Sequence, residues 1–582
     1  MKDELAGQEP KTMEVTAGEA IVKSLEIEGV THVFGIIGGN ILDVFDLVGR
    51  SPKMTFVGTR HEETASHMAH GFARANGQLA VCLVQNGAGL TNLATGFATA
   101  MKMHAPILGI TAGPNSANVD NDGRHEIDQV GVMRPLTKWS ARVPSADRLP
   151  EFLQRAFRIA TSGKKGPVFL EVPTDVLKGS FEWTPPASRM SYRAKYDTMV
   201  DAEAIGEVAD MIEKAARPIF VVGQGGEDAG AWADLHAISE IGDIPLCTTF
   251  GHNSAIPPTA PLSLGSVGRR GSKAAMQLLS ESDLVLVIGS RLHRYTKVAY
   301  YGTKFWPEDA PIIHVNSDAE TVGRHMPVEL GIVADAHRFL KALNAELTAR
   351  GKVSRANWRD KAVAERAKWE EERAGLAEPA LLKGGKFLKP AAVYKTLGDM
   401  LPNAIYVGDV GSTTQWTFCM IPYAQPKGFI YTGSLAGLGF GMPGALGAAL
   451  ARPDSEVVAV LGDGAFSLSL PSLITAAEHK IPVRIVICDN AAWGAEKGHQ
   501  MHWFNGHYVG ADLDTGDLVA ISQAIGAEAV RVNTIEELRK ELEVAPTVGP
   551  KVIVAPADPD DFPAPVPHAG TPARTWLKYE QG

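Results

Sequence analysis

The sequence predicts an α/β protein made of three doubly wound parallel-sheet domains. In three separate stretches of the chain, short apolar runs that end in glycine-rich turns alternate with helical patterns, and this alternation is typical of parallel sheets covered by helices. A chain of 582 residues is also too long to fold around one hydrophobic core. We therefore expect domains over residues 14–190, 200–345 and 385–555, followed by a C-terminal tail or lid over residues 556–582.

The composition is that of an ordinary globular protein. The net charge is −10 without a basic block, which argues against nucleic acid as a main partner. The sequence has no run of 18 apolar residues and no apolar signal segment, so we expect no membrane span and a cytoplasmic location. Four widely spaced cysteines in mostly apolar runs predict reduced core side chains: Cys82, Cys247, Cys419 and Cys488.

The first domain is predicted to contain five strands of one sheet. They are residues 30–39 (a strand with its glycine turn), 56–63 (a strand running into a helix), 79–84, 106–112 and, as the last strand, 168–173. The segment that follows, residues 174–196, carries Pro185 and Pro186 among scattered charges and predicts a linker.

The second domain opens with a strand and a glycine turn over residues 218–226, a weak indication of a dinucleotide-binding, Rossmann-like fold. A nicotinamide enzyme would carry an acidic ribose-binding residue roughly 20 to 30 residues further on. The chain offers only Asp243 in a loop there, so we discount that class. Alternating charges over residues 355–374 predict a solvated helix that links to the third domain.

The third domain contains a strand–turn–helix–strand unit over residues 457–500 that carries metal-binding chemistry. Asp463 follows the first strand and Asn490, 27 residues later, follows the second, so a crossover helix brings both to the same sheet edge. A carboxylate, an amide oxygen and a turn carbonyl are ligands that Mg²⁺ or Ca²⁺ takes, with phosphate oxygens completing the shell. Gly464 would leave room for those phosphates at the helix N-terminus. The alternative is that Asp463 only caps the helix and Asn490 only forms a turn.

Three further motifs agree with this pattern, in order along the chain. Arg60-His61-Glu62, the turn at residues 408–414 and the glycine-punctuated residues 434–448 accompany the Gly462-Asp463-Gly464 turn. Together they resemble the thiamine-diphosphate family of decarboxylases, carboligases and lyases over essentially the whole chain. The resemblance implies pyrimidine-binding, central and diphosphate-binding domains in that order, with thiamine diphosphate and Mg²⁺ as cofactors. Because that family shares each site between two subunits, it also implies at least a homodimer, and a homotetramer as the expected assembly.

The resemblance assigns roles to individual residues. Glu62 would contact N1′ of the aminopyrimidine and promote the imino tautomer that deprotonates thiazolium C2. The Ala436 carbonyl would accept the 4′-amino hydrogen, and Leu438 would lie between the cofactor rings. Other cofactor-binding positions are Asn86, Gly411, Ser412, Thr413, Gly464 and Ala465. Asp463, Asn490 and the Ala492 carbonyl would bind the metal.

The substrate is a separate question, centred on the segment after the metal turn. Trp493-Gly-Ala-Glu-Lys497 looks like the sulfoacetaldehyde acetyltransferases, and a short helix with Gly-x-Glu also looks like the actinobacterial type of 2-hydroxyacyl-CoA lyase. In either case Glu496 would lie near the reacting carbon, and in a lyase it would relay a proton. The alternative is a helix-surface glutamate paired with Lys497 or His499.

Basic residues in the second domain favour the lyase. Two groups follow apolar runs there: Arg269, Arg270 and Lys273, then Arg291, His293, Arg294 and Lys297. They suit the phosphates of CoA better than a small sulfonate, and a solvated face is the alternative. We take Arg291, Arg294, Lys297, Gly39, His125, Gln129, Val130 and Ala495 as candidate substrate residues.

Two other functions stay open. Acetolactate synthases are a third enzymatic possibility, although His125 stands where they usually have Gln. A non-catalytic binding protein would be expected to lack Glu62, Asp463 or Asn490, and all three are present.

Overall fold

Three six-stranded sheets, parallel throughout, organise the chain and confirm the predicted fold class. The structure is a computed structural model that describes residues 11–194, 200–228, 231–297 and 304–561. The apolar runs form strands that are buried along nearly their whole length, as expected where helices cover both faces of a parallel sheet.

The first sheet lies in the N-terminal part of the chain. The elements there are β1 (Met13–Thr16), α1 (Ala17–Glu28), β2 (His32–Gly35), α2 (Leu42–Arg50), β3 (Thr55–Gly58), α3 (Glu62–Asn76), β4 (Ala80–Val84), α4 (Ala88–Asn92), α5 (Ala94–Met103), β5 (Ile107–Gly113), α6 (Gln129–Met133), β6 (Trp139–Arg142), α7 (Leu149–Thr161), β7 (Val168–Pro173), α8 (Thr174–Lys178) and β8 (Ser180–Trp183). The strand order is β3-β2-β4-β5-β7-β6, so all five predicted strands are present and β6 is added. The order reverses between β2 and β4, where the turns after these strands meet.

The predicted linker at residues 174–196 is wrong in its first half. That half forms α8 and β8, and β8 pairs antiparallel with β1. The alternation in Ser180-Phe-Glu-Trp183 is the period-two signal of a strand, and the nearby prolines masked it. Phe181 and Trp183 pack on the core of the first sheet.

The second sheet follows in the middle of the chain. Its elements are α9 (Ala202–Lys214), β9 (Pro218–Val222), α10 (Gln224–Asp228), α11 (Trp232–Gly242), β10 (Leu246–Thr248), β11 (Ser263–Ser266), α12 (Lys273–Glu281), β12 (Leu284–Ile288), α13 (Arg294–Lys297), β13 (Ile312–Asn316), β14 (Leu330–Val333) and α14 (Ala336–Arg350). The strand order is β11-β10-β9-β12-β13-β14, with the reversal between β9 and β12.

The helix predicted to be a solvated linker is present but is partly buried. After α14 come α15 (Ala356–Leu376), β15 (Leu381–Leu382) and β16 (Phe387–Leu388). Trp358, Ala362 and Trp369 of α15 are buried in a core that also contains α12. The expectation of a fully solvated helix is therefore corrected. The sequence did not indicate an amphipathic helix, because only three apolar positions are buried among many charged residues.

The third sheet holds the strand–turn–helix–strand unit. The elements are α16 (Pro390–Met400), β17 (Ile405–Gly408), α17 (Thr417–Met420), β18 (Phe429–Tyr431), α18 (Gly441–Ala451), β19 (Val457–Gly462), α19 (Asp463–Glu478), β20 (Val483–Asp489), α20 (Gly494–Trp503), α21 (Leu518–Ile525), β21 (Glu528–Arg531), α22 (Ile535–Leu542) and β22 (Pro550–Pro556). The strand order is β18-β17-β19-β20-β22-β21. The reversal lies between β17 and β19, the place where open α/β sheets bind ligands.

By packing, the described chain divides into two compact units. The first contains the described residues up to 194 together with 432–453 and 469–481, and the second contains the rest. Helix α18 therefore belongs to the first unit, where it packs against α3. This grouping follows packing and does not test the predicted domain limits, which stay a prediction.

The four cysteines are free and buried, as predicted. Among the described residues, none of the helices has the length and apolarity that a membrane span requires. The predicted tail or lid lies mostly at residues 562–582, outside the described residues.

The contact between α3 and α18 gives a stability prediction. A Cβ atom on Gly71 would overlap the Gly444 carbonyl, so Gly71→Ala should lower the free energy of unfolding by about 1–3 kcal/mol through overpacking. Gly49→Ala is the matched control, because Gly49 lies in α2 with open space around it and alanine there should stabilise the helix by roughly 0.5–1 kcal/mol. Thermal unfolding of both variants measures this, and an unchanged transition for Gly71→Ala would contradict the packing.

Candidate cofactor and metal site

Asp463 and Asn490 meet at the carboxyl edge of the third sheet, as the sequence predicts. Asp463 is the first residue of α19 and Asn490 follows β20, which pairs with β19. The end of the Asn490 side chain lies 3.1 Å from the Ala492 carbonyl oxygen and 3.0 Å from Asp463 Oδ1. With the Asn490 amide oxygen facing these two atoms, three oxygens surround one point, as in a cation site. With the amide nitrogen facing them, the nitrogen donates a hydrogen bond to each. The predicted ligands are therefore brought together.

The electrostatics of Asp463 also suit a bound cation. Its side chain is fully buried, and Oδ2 has no hydrogen-bond partner among the described residues. Burial, and secondarily the Asp489 carboxylate, raises the pKa of Asp463 to about 7. A buried carboxylate without a counter-charge is unfavourable, and a divalent cation in contact with it would remove that penalty.

The turn after β17 lies beside the metal turn. Ser412 and Thr413 are buried there, and the Thr413 hydroxyl lies 3.5 Å from the place where a Cβ atom on Gly462 would stand. A Cβ atom on Gly494 would overlap Ser412 Oγ and lie 2.7 Å from the Asn490 amide. The residues predicted to hold the diphosphate and those predicted to hold the metal thus share one small region at the strand-order reversal. Gly411, which opens the turn, has a φ of 149°, which favours glycine.

Gly464 has a different neighbour from the one expected. The sequence suggested that this glycine leaves room for phosphates, but the Trp493 ring lies against it, because a Cβ atom on Gly464 would overlap Cζ3 of that ring. Ala465 is buried in the first turn of α19. Sequence reasoning missed Trp493 as a neighbour of the helix N-terminus, because the contact arises only when the two turns pack together.

In the first unit, Glu62 begins α3 and its carboxylate is held by a residue that the sequence did not reveal. Asn92 Nδ2 donates to Glu62 Oε2 at 2.8 Å. The two residues before Glu62 have structural partners: Arg60 pairs with Glu478 at 2.7 Å, and His61 Nδ1 accepts from the Glu63 N–H as the helix cap. Arg60 and His61 thus shape the turn, while Glu62 remains half-buried and able to meet a ligand.

Asn86 connects the turns at the edge of the first sheet. It is 1% exposed, its amide donates to the His125 carbonyl at 3.0 Å, and it accepts from Asn40 at 2.9 Å. Its side chain therefore supports the loops, and any effect on a ligand would pass through them. Gly39 lies on the turn after β2 and is exposed, and His125 is half-buried with φ 66°.

Gln129, a candidate substrate residue from the sequence, hydrogen-bonds to the turn after β4, and its substrate role stays a prediction. It is 1% exposed, donates to the Ala112 carbonyl at 2.9 Å and accepts from the Gly87 N–H at 3.2 Å and the Thr111 hydroxyl at 3.1 Å. These bonds fix the glycine turn after β4. The neighbouring Val130 is half-buried.

Ala436 and Leu438 lie in the first unit, on the chain that leads to α18. Ala436 has φ 56° and is exposed, whereas Leu438 is half-buried. A Cβ atom on Gly437 would lie 3.0 Å from Thr99 Oγ1, so this segment rests on α5.

Glu496 lies in the first turn of α20, with its side chain 72% exposed and Oε2 3.5 Å from His499 Nδ1. This is the surface pairing considered as the alternative from the sequence. Ala495 is half-buried next to it.

The basic residues of the second unit collect beyond β12. Arg291 directly follows the strand turn, Arg294 is exposed, and Lys297 donates to the His325 carbonyl at 2.8 Å. Burial and then Arg324 lower the pKa of Arg291, and burial, followed by Arg291 and other basic groups, lowers that of His293 to about 3. The neighbours that lower these pKa values are thus cationic or basic, so basic groups lie close together here.

Comparison with protein-family models identifies the chain. Residues 15–132 match the N-terminal binding domain of thiamine pyrophosphate enzymes, residues 205–343 match their central domain, and residues 409–555 match their C-terminal binding domain. The chain belongs to the thiamine diphosphate enzyme family. Thiamine diphosphate, which this family binds with Mg²⁺, is therefore its cofactor.

Curated relatives of this thiamine diphosphate enzyme carry two different activities in their names. It is 32% identical to a probable acetolactate synthase large subunit of Methanocaldococcus jannaschii over 538 residues, covering 90% of this chain and 89% of that protein. It is 31% identical to a sulfoacetaldehyde acetyltransferase of Rhodobacter capsulatus over 548 residues, covering 92% of each. An acetolactate synthase large subunit of Corynebacterium glutamicum is 32% identical over 553 residues, covering 93% of this chain and 86% of that protein.

The buried carboxylate predicts opposite effects on stability and on cofactor binding. Asp463→Asn removes a buried carboxylate whose Oδ2 has no hydrogen-bond partner within the described ranges, so the apoenzyme should melt at the same or a higher temperature than wild type. Mg²⁺ with thiamine diphosphate should raise the melting temperature of wild type but not of this variant, because a ligand stabilises only the fold that binds it.

Asp517→Asn is the matched control for this experiment. Asp517 caps α21 in the same unit, and asparagine is an equally good cap. That variant should keep the full response to the cofactor. A full response of Asp463→Asn, measured by scanning fluorimetry, would contradict the assignment of Asp463 to the metal.

Proposed function

We propose that the enzyme is a carbon–carbon lyase that reversibly cleaves a short 2-hydroxyacyl-CoA, such as 2-hydroxyisobutyryl-CoA, to formyl-CoA and a ketone or aldehyde. The observation that carries the proposal is a cluster of basic side chains beyond β12, formed by Arg291, His293, Lys297 and Arg324. This cluster lies next to the strand-order reversal of the second sheet, between β9 and β12. An anionic ligand with several phosphates would find complementary charge there.

The chemistry of the cluster favours CoA over a small substrate. Arginine guanidinium groups bind phosphate through paired hydrogen bonds. A sulfonate or pyruvate has one anionic group, which needs only one cation near the reacting carbon. The two glycine turns at the reversal are closed on each other, since a Cβ atom on Gly225 would lie 2.7 Å from Gly289 Cα. A nucleotide would therefore lie over these turns and reach the basic groups beyond them.

In this proposal two glutamates handle protons. Thiamine diphosphate supplies the nucleophilic carbon and accepts the electron pair of the broken bond. Glu62, held by Asn92, would hydrogen-bond the aminopyrimidine of the cofactor. Glu496 would take the proton of the C2 hydroxyl as the C1–C2 bond breaks and return it to C1, so that formyl-CoA forms without net proton change.

The remaining site residues have supporting roles in the proposal. Asp463, Asn490 and the Ala492 carbonyl would bind Mg²⁺, the turn at residues 411–413 would bind the diphosphate, and Ala436 and Leu438 would contact the cofactor rings. Gly39, His125, Val130 and Ala495 would border the acyl group. We also propose a homodimer at least, and a homotetramer as the full assembly. The tail from Phe562 to Tyr579, outside the described residues, would cover the site and exclude water.

A sulfoacetaldehyde acetyltransferase is the second candidate, because one of the relatives carries that name and the chain contains Trp493-Gly-Ala-Glu-Lys497. That enzyme would convert sulfoacetaldehyde and phosphate to acetyl phosphate and sulfite. An acetolactate synthase, the name of two relatives above, would act on pyruvate alone.

Three assays with purified enzyme, Mg²⁺ and thiamine diphosphate separate these activities. We expect formyl-CoA and acetone from 2-hydroxyisobutyryl-CoA, no phosphate-dependent release of sulfite from sulfoacetaldehyde, and no acetolactate from pyruvate. Absence of formyl-CoA and of free CoA above the blank would refute the lyase. Sulfite release that depends on phosphate would establish the second candidate.

The assignment of Glu62 predicts a separation of activity from cofactor binding. Glu62→Gln should lower kcat by at least a hundredfold, because a glutamine amide cannot exchange a proton with the cofactor as a carboxyl group can. Binding of thiamine diphosphate, followed by tryptophan fluorescence, should change by less than about threefold. Glu14→Gln, at an exposed glutamate on β1, should leave both unchanged, and near-normal turnover of Glu62→Gln would refute the role.

The basic cluster predicts an effect on KM. Arg291→Ala should raise KM for the acyl-CoA roughly tenfold by removing a charged hydrogen bond, with kcat within about twofold of wild type. Arg359→Ala is the control, because Arg359 is a half-buried arginine on α15 that pairs with Asp360 and Asp243. Equal KM values for the two variants would show that CoA does not use Arg291.

A further inference from the structure

A short extended segment at residues 511–513 pairs with the metal turn from outside the sheet. Ala492 and Asp512 form an isolated antiparallel bridge. The Leu513 N–H donates to the Ala491 carbonyl at 2.9 Å, and the Trp493 N–H donates to the Ala511 carbonyl at 2.8 Å. These bonds fix the main chain on both sides of Ala492. The carbonyl of Ala492 itself points to the Asn490 side chain instead.

Lys497 joins this segment to the first turn of α20. Its side chain is only 10% exposed, and Nζ lies 2.7 Å from Asp512 Oδ1. The ammonium group also lies 5.3 Å from the centre of the Tyr508 ring, and the Lys497 N–H donates to the Trp493 carbonyl at 2.9 Å. One side chain thus ties together α20, residues 511–513 and, through their pairing, the metal turn.

We propose that Lys497 and Asp512 are positioning residues for the metal site. The inference rests on the assignment of Mg²⁺ to Asp463, Asn490 and Ala492. A backbone carbonyl can be a good ligand only if its peptide is held in place, because it has no side-chain rotamer that could adjust. The Lys497–Asp512 ion pair holds the pairing that orients the Ala492 peptide, without touching the metal.

The burial of Lys497 distinguishes this pair from an ordinary surface ion pair. Exposed pairs contribute little because both charges stay solvated. Lys497 is largely removed from solvent, so loss of its partner would leave a poorly solvated ammonium beside the turn. Asp560 is a second carboxylate in the region: its pKa is lowered first by its hydrogen bond with Lys383 and, more weakly, by Lys497.

The test is Mg²⁺ binding to full-length apoenzyme at saturating thiamine diphosphate, measured by titration calorimetry. Lys497→Met keeps the apolar stem and removes the charge, and we expect Mg²⁺ to bind about tenfold more weakly, the typical effect of losing an outer-shell partner. In whichever assay shows activity, raising Mg²⁺ should restore most of the lost rate. Lys395→Met is the control, because Lys395 makes a similar pair with Asp399 at 2.6 Å on α16 and should leave Mg²⁺ binding unchanged.

Asp512→Asn gives an independent measurement, because the Asp512 side chain is 69% exposed and its loss should not prevent folding. It should weaken Mg²⁺ binding to a similar degree. In the double variant the two effects should not multiply, because both substitutions remove the same contact. Mg²⁺ affinities equal to that of the control in both single variants would overturn the inference, and so would fully multiplicative effects.

Asp463→Asn separates this inference from the metal assignment on which it rests. Wild-type Mg²⁺ affinity in Asp463→Asn would show that the metal binds elsewhere, and the inference would fall with it. Loss of Mg²⁺ binding there, together with normal affinity in Lys497→Met and Asp512→Asn, would overturn the positioning role alone.

Discussion

At the carboxyl edge of the third sheet, folding buries a carboxylate and leaves one of its oxygens without a hydrogen-bond partner in the part of the chain that the structure describes. Asp463 directly follows β19, and the parallel pairing of β19 with β20 brings the turn after β20 to the same edge of the sheet. The fold therefore accepts the cost of a buried carboxylate, with one oxygen, Oδ2, that has no hydrogen-bond partner among the described residues. Such an arrangement makes sense for a protein that gains its stability at this edge from a bound cation and phosphate.

Each of the three parallel sheets has a strand-order reversal, although the second sheet has a different strand order from the other two, and the side chains at the reversals differ. In the first sheet the reversal between β2 and β4 carries amides and glycines, with Asn86 joining the turns. In the second, two glycine turns close on each other and basic side chains collect beyond them. In the third, hydroxyls and the Asp463 carboxylate face the edge. The topology thus fixes where ligands can bind, and the local residues decide their charge.

Local patterns were sufficient to predict the strands and the meeting of Asp463 with Asn490, because both follow from strand–turn spacing in parallel sheets. They were insufficient where the contact depends on packing between distant turns. Asn92 reaches Glu62 across 30 residues, and Trp493 lies on Gly464 only after both turns are formed. The hydrogen bonds of Gln129 to Gly87 and Ala112 were not predicted for a related reason, because they join residues 42 and 17 positions apart. The period-two strand β8 was hidden by two prolines.

Helix α20 connects the metal turn to the residues that are proposed to contact the substrate. Its start is fixed, because Gly494 lies against Ser412 and Asn490, and Lys497 is drawn inward to Asp512. Successive helical residues are about 100° apart, so with Lys497 facing inward Glu496 is turned toward solvent. The direction of the Glu496 side chain is therefore set by the same contacts that hold the metal turn. In the proposed lyase, a substrate would therefore reach Glu496 from the solvent side of α20.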